Sequence, residues 1–242
     1  MAAASISEAT PDYAGRQIVV TGGTGALGCA IVDALLGRGA TLYVPWRTKA
    51  EADRFPRRDH ERVHLVEAEL SDEDAVERLY AGVDALWASI HIAGGFAMAP
   101  IEETDRAAFM KQIDMNLLSC FLCSRGAVAA MRKHGQGGRI VNVTARPGIE
   151  PRRGGGMTAY ATTKAAVAAF TQALAAEIVH ENILVNAVAP GTLDTPANRT
   201  AMPKADPTKW AQPAEVAATI LFLASPGNRV TSGAIVPVYG QS

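Results

Sequence analysis

The sequence predicts a single α/β domain in which a doubly wound parallel sheet carries helices on both faces. Two observations lead to this fold class: strand-like and helix-like apolar segments alternate along the chain, and a glycine-rich turn joins the first strand to the first helix. With 242 residues, of which 48% are apolar, the chain is long enough to fill one core. We expect residues 1–14 to form a flexible N-terminal segment and residues 15–242 to form the domain.

The individual elements follow from the apolar pattern. Short apolar runs predict seven strands, at 17–20, 41–46, 63–70, 84–94, 139–145, 183–190 and 234–240. Apolar residues at helical spacing predict helices at 27–39, 72–83, 107–134, 159–180 and 213–225. This alternation is typical of a Rossmann-type parallel sheet. Two irregular segments, 146–159 and 192–211, follow the carboxyl ends of strands, so we expect them to be the substrate loops.

Charge and hydropathy exclude several classes of partner. The formal net charge is -1, without the basic excess that nucleic acids and anionic membrane surfaces require, so neither is expected as a partner. The N-terminus has no basic leader followed by an apolar run, and no segment reads as the roughly 20 apolar residues of a membrane span. We therefore expect a cytoplasmic protein that acts on a small molecule.

The three cysteines do not predict a disulfide framework or a metal site. Cys120 and Cys123 form a CxxC pattern, but it lies in an apolar helical run without a second pair of ligands. Cys29 is left over as an odd thiol. We expect ordinary packing at all three positions and no bound metal.

The glycine-rich turn predicts a dinucleotide site. Residues 21–28 read TGGTGALG, so a GxGxxG pattern starts at Gly23, directly after a strand and at the start of a helix. Glycine lets the backbone approach a pyrophosphate closely, and the helix N-terminus supplies N–H donors and a positive dipole. We expect the turn to hold the cofactor through Gly22, Thr24, Gly25, Ala26 and Leu27.

The end of the second strand bears on the choice of cofactor. An acidic residue about 20 positions after the glycines usually binds the ribose 2′-hydroxyl of NAD, but residues 44–47 read VPWR. Arg47 is suited to the 2′-phosphate of NADP, and Trp46 either covers the adenine or packs. NADP(H) is therefore favoured over NAD(H); the alternative is that Arg47 is only a solvated surface charge.

Tyr160 and Lys164 form the candidate catalytic pair. A spacing of four places both side chains on one face of a helix. A phenol has an unperturbed pKa of about 10, and a neighbouring ammonium is expected to lower it. Tyr160 would then act as a general acid or base.

The glycine turn together with Tyr160-x-x-x-Lys164 resembles the short-chain dehydrogenase/reductase family over almost the whole chain. The resemblance implies that Asn116 belongs to a proton relay with Tyr160 and Lys164, and that Lys164 also holds the nicotinamide ribose. It implies further cofactor contacts from Glu69, Leu70, Ala93, Gly94, Pro190, Gly191, Thr192, Leu193 and Thr195. It also implies a homodimer or homotetramer, paired through the two long helices.

The sequence departs from the family pattern at three places. Ala26 stands where many members have glycine, and His91-Ile92 replaces the usual pair of asparagines. Ala145 stands at the position of the catalytic serine. Thr144 is a poor substitute for that serine, because adjacent residues of a strand point to opposite faces.

A closer resemblance is to the dihydropteridine reductases, a branch of the family that also has alanine at the serine position. It rests on residues 192–196, 198–199, 202–203 and Trp210. It implies an NAD(P)H-dependent reductase of a conjugated C=N or C=O substrate, with Tyr160 as the proton donor. The alternatives are a general carbonyl reductase or alcohol dehydrogenase, of the 3-oxoacyl- or ketone-reducing type, and a non-catalytic dinucleotide-binding regulator.

Overall fold

The computed structural model describes residues 13–241 and arranges the strands of this range in one seven-stranded parallel sheet. The strands are β1 (Gln17–Thr21), β2 (Thr41–Trp46), β3 (Val63–Glu67), β4 (Leu86–His91), β5 (Gly138–Val143), β6 (Ile183–Pro190) and β7 (Ile235–Val238). They lie in the order β3-β2-β1-β4-β5-β6-β7, which confirms the predicted doubly wound sheet. The order reverses between β1 and β4, where open α/β sheets bind their ligands.

The α-helices in the described range are α1 (Ala26–Leu36), α2 (Lys49–Arg54), α3 (Glu73–Ala81), α4 (Arg106–Ile113), α5 (Ser119–His134), α6 (Arg146–Ile149), α7 (Thr158–Ile178), α8 (Pro196–Ala201) and α9 (Pro213–Ala224). Alternate residues of β1 show how the sheet divides the core: Ile18 packs in the cluster with α1 and α9, and Val19 packs in the cluster with α3 and α5. Both faces of the sheet are therefore covered, as a parallel sheet requires.

The long helix predicted at 107–134 is continuous but not uniform. A π turn at Asp114–Leu118 separates α4 from α5. Such turns are frequent at functional sites, and this one contains Asn116. By length and composition the run Arg106–His134 could cross a membrane. Its hydropathy is explained by the α5 side chains that pack in the core below the sheet.

Three short helices were not predicted. α2 begins with a capping box, in which Thr48 and Glu51 each bind the other's backbone N–H, and this motif is readable in the sequence as TKAE. The other two, α6 and α8, lie in the segments 146–159 and 192–211 that the sequence presents as irregular loops. Both are too short for apolar periodicity to reveal them.

The N-terminal boundary predicted at residue 15 is too late. Tyr13 is completely buried in the core, and its hydroxyl donates a hydrogen bond to the carbonyl of Leu221 in α9. The packed domain therefore includes Tyr13. The rest of the segment predicted to be flexible, residues 1–12, lies outside the described residues.

Candidate active site

The glycines of the turn after β1 serve two different purposes. Gly22 has φ +67, and a Cβ at this position would lie 2.8 Å from the backbone nitrogen of Ala93. A Cβ at Gly28 would lie 2.1 Å from the carbonyl oxygen of Gly22. A Cβ at Gly25 would meet only that same oxygen, at 3.4 Å. Gly22 and Gly28 are thus required by packing, whereas Gly25 leaves open the space in front of the turn.

Gly25 is the N-cap of α1, and this helix end suits an anion. Among the described residues, no side chain caps it, and its first turn, from Ala26, has no acidic residue. The N–H groups and the positive dipole of the helix end favour a pyrophosphate at this point. The side chain of Leu27 is buried in the core, so only its backbone is available to a ligand.

A cleft of about 440 Å³ extends from this turn across the ends of β2 and β3. Eight of the residues predicted to bind the cofactor line it: Gly22, Thr24, Trp46, Arg47, Glu69, Leu70, Ala93 and Gly94. Its volume and its position beside the glycine turn fit the adenosine half of a dinucleotide. Its walls also contain charged residues that the sequence patterns did not single out: Glu51, Lys111 and Asp114.

Five further predicted cofactor residues form a second group, at the end of β6. Pro190 is the last residue of that strand, and Gly191, Thr192, Leu193 and Thr195 follow it. Thr195 caps α8 by accepting a hydrogen bond from the Asn198 N–H at 3.2 Å. Leu193 forms a bridge with Ala211, which closes the base of the segment 192–211.

An ion pair stabilises the same segment. Asp194 accepts two hydrogen bonds from Arg199, at 2.6 and 2.8 Å, and one from Gln212 at 2.9 Å. The hydrogen bonds from Arg199, and to a smaller extent from Gln212, lower the pKa of Asp194 to about 2. The segment is therefore held at its base by charge as well as by backbone hydrogen bonds.

Tyr160 and Lys164 lie on α7, as predicted, with Lys164 buried and Tyr160 half-buried. The Lys164 Nζ lies 5.9 Å from the centre of the Tyr160 ring and donates to the Val143 carbonyl at 2.9 Å. Burial lowers the pKa of Lys164 to about 8. Burial also raises the pKa of Tyr160 to about 12.

The expected lowering of the Tyr160 pKa by Lys164 is therefore wrong. Desolvation disfavours the charged form of both groups, and at 5.9 Å from the ring centre the ammonium does not reverse this for the phenol. With this pKa the Tyr160 phenol is neutral at pH 7.

Asn116 joins the π turn to the loop after β4. Its Nδ2 donates to the Gly95 carbonyl at 3.0 Å, and its Oδ1 accepts from the Gly95 N–H at 3.1 Å. A Cβ on Gly94 would lie 2.5 Å from Asn116 Oδ1 and 3.5 Å from Lys164 Nζ, so both side chains converge on Gly94. The structure thus brings Asn116 and Lys164 together, and the relay role of Asn116 stays a prediction.

The hydroxyl of Thr144 does not replace the missing serine. It donates a hydrogen bond of 2.6 Å to the Lys164 carbonyl, and Thr144 is buried. Ala145 is also buried and begins α6 in an extended conformation. The site therefore has neither a serine hydroxyl at 145 nor a redirected threonine hydroxyl from 144.

His91 replaces the usual asparagine with a buried imidazole. Asn142 Nδ2 donates to Thr171 at 2.9 Å, so Asn142 Oδ1 accepts from His91 Nδ1 at 2.8 Å. His91 Nε2 then accepts from Ser89 or Tyr80, at 2.8 and 3.3 Å. Burial lowers the pKa of His91 to about 4, so the ring is neutral and ties β4 to β5.

The three cysteines are free thiols that are buried or partly buried. All three lie within residues 13–241 as free thiols, and burial raises the pKa of Cys120 to about 12 and that of Cys123 still further. Within that range, no group of three His, Cys, Asp or Glu residues could hold a metal ion.

Comparisons with known proteins identify the family of this chain. A short chain dehydrogenase family model matches residues 16–206. Galactitol 2-dehydrogenase of Rhizobium johnstonii is 35% identical over 244 residues, which cover 93% of this chain and 93% of that protein. Cyclopentanol dehydrogenase of Comamonas sp. is 31% identical over 227 residues, which cover 87% of this chain and 90% of that protein.

A solved structure, a 3-oxoacyl-acyl-carrier-protein reductase with bound NAD from Brucella melitensis, has a TM-score of 0.83 at 28% identity and covers 96% of this chain and 92% of its own. None of these three proteins is a dihydropteridine reductase, so they do not support that closer resemblance. The family itself is confirmed by the model match and by the 35% identical relative. The chain belongs to the short-chain dehydrogenase/reductase family and is an NAD(P)-dependent oxidoreductase.

Proposed function

We propose that the protein interconverts a ketone and a secondary alcohol, with Tyr160 as the proton donor or acceptor. The observation that carries the proposal is that Asn116 and the buried Lys164 converge on Gly94, which lines the cleft, while the Lys164 Nζ lies 5.9 Å from the centre of the Tyr160 ring. The names of the relatives, galactitol 2-dehydrogenase and cyclopentanol dehydrogenase, support the alcohol and ketone class.

The chemistry follows from the protonation states. A nicotinamide cofactor, when bound, would supply or accept the hydride. Tyr160 is neutral at pH 7 and can protonate a carbonyl oxygen as negative charge develops on it. The Lys164 ammonium then stabilises the phenolate that remains. Asn116 fixes the backbone of Gly95, the residue after Gly94, through two hydrogen bonds.

The surroundings of Tyr160 favour a substrate with an apolar part. The ring of Phe96 packs edge-on against the Tyr160 ring, with centroids 5.0 Å apart, and Phe96 is 61% exposed. Met98, 64% exposed, lies on the same loop and approaches Gly156 of the facing segment. A ketone attached to a ring or alkyl chain would bury these side chains.

A conjugated acceptor, such as a quinonoid dihydropteridine, is the second candidate. The alanine at 145 and the turned hydroxyl of Thr144 favour it, because no hydroxyl is available at this position to stabilise a localised oxyanion. A delocalised acceptor has less need of that hydrogen bond. The non-catalytic regulator is opposed by the complete set of Asn116, Tyr160 and Lys164.

The test is a comparison of substrates at fixed enzyme concentration. NADH and NADPH oxidation would be followed with cyclic ketones, a 3-oxoacyl thioester and quinonoid dihydropterin. We expect turnover of a ketone that depends on Tyr160. Turnover of the pterin alone would establish the second candidate, and tight cofactor binding without turnover of any compound would indicate the regulator.

The cofactor preference and the assembly belong to the same proposal. The predicted preference for NADP(H) rests on Arg47, which is exposed in the cleft; Glu51 lies beside it and weighs against that preference. A homo-oligomer is supported by Phe121, 42% exposed, which forms an edge-on pair with Phe170 across α5 and α7. Light scattering in solution would give the number of subunits. A cytoplasmic location remains a prediction.

A further inference from the structure

A carboxylate lies in the cleft beside the end of β2, although the strand itself ends without an acidic residue. Glu51 lines the cleft together with Trp46 and Arg47, the last strand residue and its successor. It comes from α2, five residues after Trp46, and the short helix brings it back to the end of the strand. The acidic group that the fingerprint lacks at the end of β2 is therefore supplied from the next helix.

The carboxylate of Glu51 occupies the backbone donors at this point. Its Oε2 accepts from the Arg47 N–H at 3.0 Å and from the Thr48 N–H at 3.2 Å. These are the N–H groups nearest the end of β2. A phosphate on the ribose would have to compete with Glu51 for them and would bring a second negative group beside the carboxylate.

We propose that Glu51 is the residue that selects the cofactor, and that it favours the unphosphorylated ribose of NAD(H). Oε2 is held by the two N–H groups, and the carboxylate retains acceptor sites for a ribose hydroxyl. The proposal rests on the dinucleotide role assigned to the cleft above. It reverses the preference predicted from Arg47.

The charges around the cleft also favour NAD(H) over NADP(H). Its walls contain three carboxylates, Glu51, Glu69 and Asp114, and two cationic side chains, Arg47 and Lys111. Arg47 is exposed and extends from a flexible stem, whereas Glu51 is partly buried and fixed by the capping box. A fixed carboxylate repels a 2′-phosphate at a defined position, and a solvated arginine offsets this only in part.

The experiment measures cofactor binding by calorimetry, without turnover. NAD⁺ and NADP⁺ would be titrated into the wild type, Glu51→Gln and Asp53→Asn. Glutamine keeps the shape and the acceptor oxygen of the capping box but removes the charge. Asp53 is the matched control, because it lies on the same helix and its carboxylate pairs with Lys49 at 2.7 Å.

We expect the wild type to bind NAD⁺ more tightly, and Glu51→Gln to shift the affinity ratio toward NADP⁺ by about tenfold or more, which corresponds to about 1.4 kcal/mol. Asp53→Asn should leave the ratio within about twofold of wild type. An unchanged ratio in Glu51→Gln, or an equal shift in Asp53→Asn, would overturn the proposal.

A second measurement uses only the wild type, so it does not depend on the folding of a variant. Adenosine 5′-monophosphate should bind more tightly than adenosine 2′,5′-bisphosphate, and the reverse order would contradict the role of Glu51. If neither dinucleotide nor either adenosine nucleotide binds, the proposed function fails at the cleft itself, which is a different result from binding with the wrong preference.

Discussion

The hydroxyl of Thr144 donates a hydrogen bond of 2.6 Å to the carbonyl oxygen of Lys164, and this bond joins the end of β5 to α7, the helix that carries Tyr160 and Lys164. A Cβ at Gly148 would lie 2.7 Å from the Thr144 Oγ1 and 2.7 Å from the Lys164 carbonyl carbon, so the three residues are closely packed. The hydroxyl is thus part of the support for Lys164. Position 145, where the family has its serine, remains without a hydroxyl.

Restoring that hydroxyl should separate the two substrate classes. Ala145→Ser should raise kcat/KM for a simple ketone by about tenfold, because a new donor can stabilise the charge that collects on one oxygen. A conjugated acceptor spreads that charge and should change little. Steady-state kinetics on both substrates would test this, and equal improvement of the two would contradict the reasoning.

Removing the phenol should abolish proton transfer without removing the cofactor. Tyr160→Phe should lower turnover by about 10²-fold or more, the usual scale for a positioned acid. The ring and its contact with Phe96 remain, so cofactor affinity should stay within about twofold. Unchanged turnover would mean that the proton comes from water or from another group.

The pKa of Lys164 should limit the activity of the enzyme at alkaline pH. Because burial lowers it to about 8, Lys164 loses its proton as the pH rises through that value, and the phenolate loses its stabilising charge. In the direction of ketone reduction, kcat/KM should therefore fall above pH 8. Lys164→Arg keeps a charged group at all these pH values, so any activity that it retains should show no fall near pH 8.

The glycines of the turn should separate into packing and binding positions. Gly28→Ala places a Cβ 2.1 Å from the Gly22 carbonyl oxygen and should reduce the free energy of unfolding by about 2 kcal/mol or more. Gly25→Ala meets only one contact, at 3.4 Å, and should reduce it by less than about 1 kcal/mol.

Gly25→Ala should affect cofactor binding more than stability. The methyl group of Gly25→Ala occupies the open space in front of α1 and should weaken dinucleotide binding by about tenfold or more. Denaturant unfolding and calorimetry on the same two variants would measure both effects. If Gly25→Ala binds the cofactor as tightly as wild type, the pyrophosphate does not approach this turn.

The buried imidazole of His91 predicts a loss of stability in mild acid. Its pKa is lowered in the folded protein from 6.5 to about 4, so below pH 6.5 the unfolded chain takes up a proton that the folded state resists. Above pH 6.5 the titration of His91 does not reduce the free energy of unfolding. As the pH falls from 6.5 to 4, it reduces that free energy by roughly 3 kcal/mol. His91→Asn cannot titrate, so its stability should fall less than that of wild type over this range; parallel curves would show that His91 contributes nothing.

Local patterns were enough to predict the sheet and to place Tyr160 and Lys164, the candidate catalytic pair, on one helix. The seven strands and the five longer helices follow from apolar periodicity, and Tyr160 with Lys164 follows from a spacing of one helical turn. The short helices α6 and α8 could not be predicted, because a single turn has no periodicity to detect. The capping box at 48–51 was a sequence signal for the start of α2. The sequence patterns alone did not connect its glutamate with the proposed cofactor site.

The sequence by itself determined the fold class, the dinucleotide turn and the pairing of Tyr160 with Lys164, since each depends on residues within a few positions of one another. Only the tertiary structure decided that Thr144 binds the backbone of Lys164 and that His91 joins Asn142 across two strands. Thr144 and His91 have partners 20 and 51 positions away in the chain. Hydrogen bonds and pKa values at these sites depend on burial and on such distant neighbours, which are set when the sheet and helices pack together.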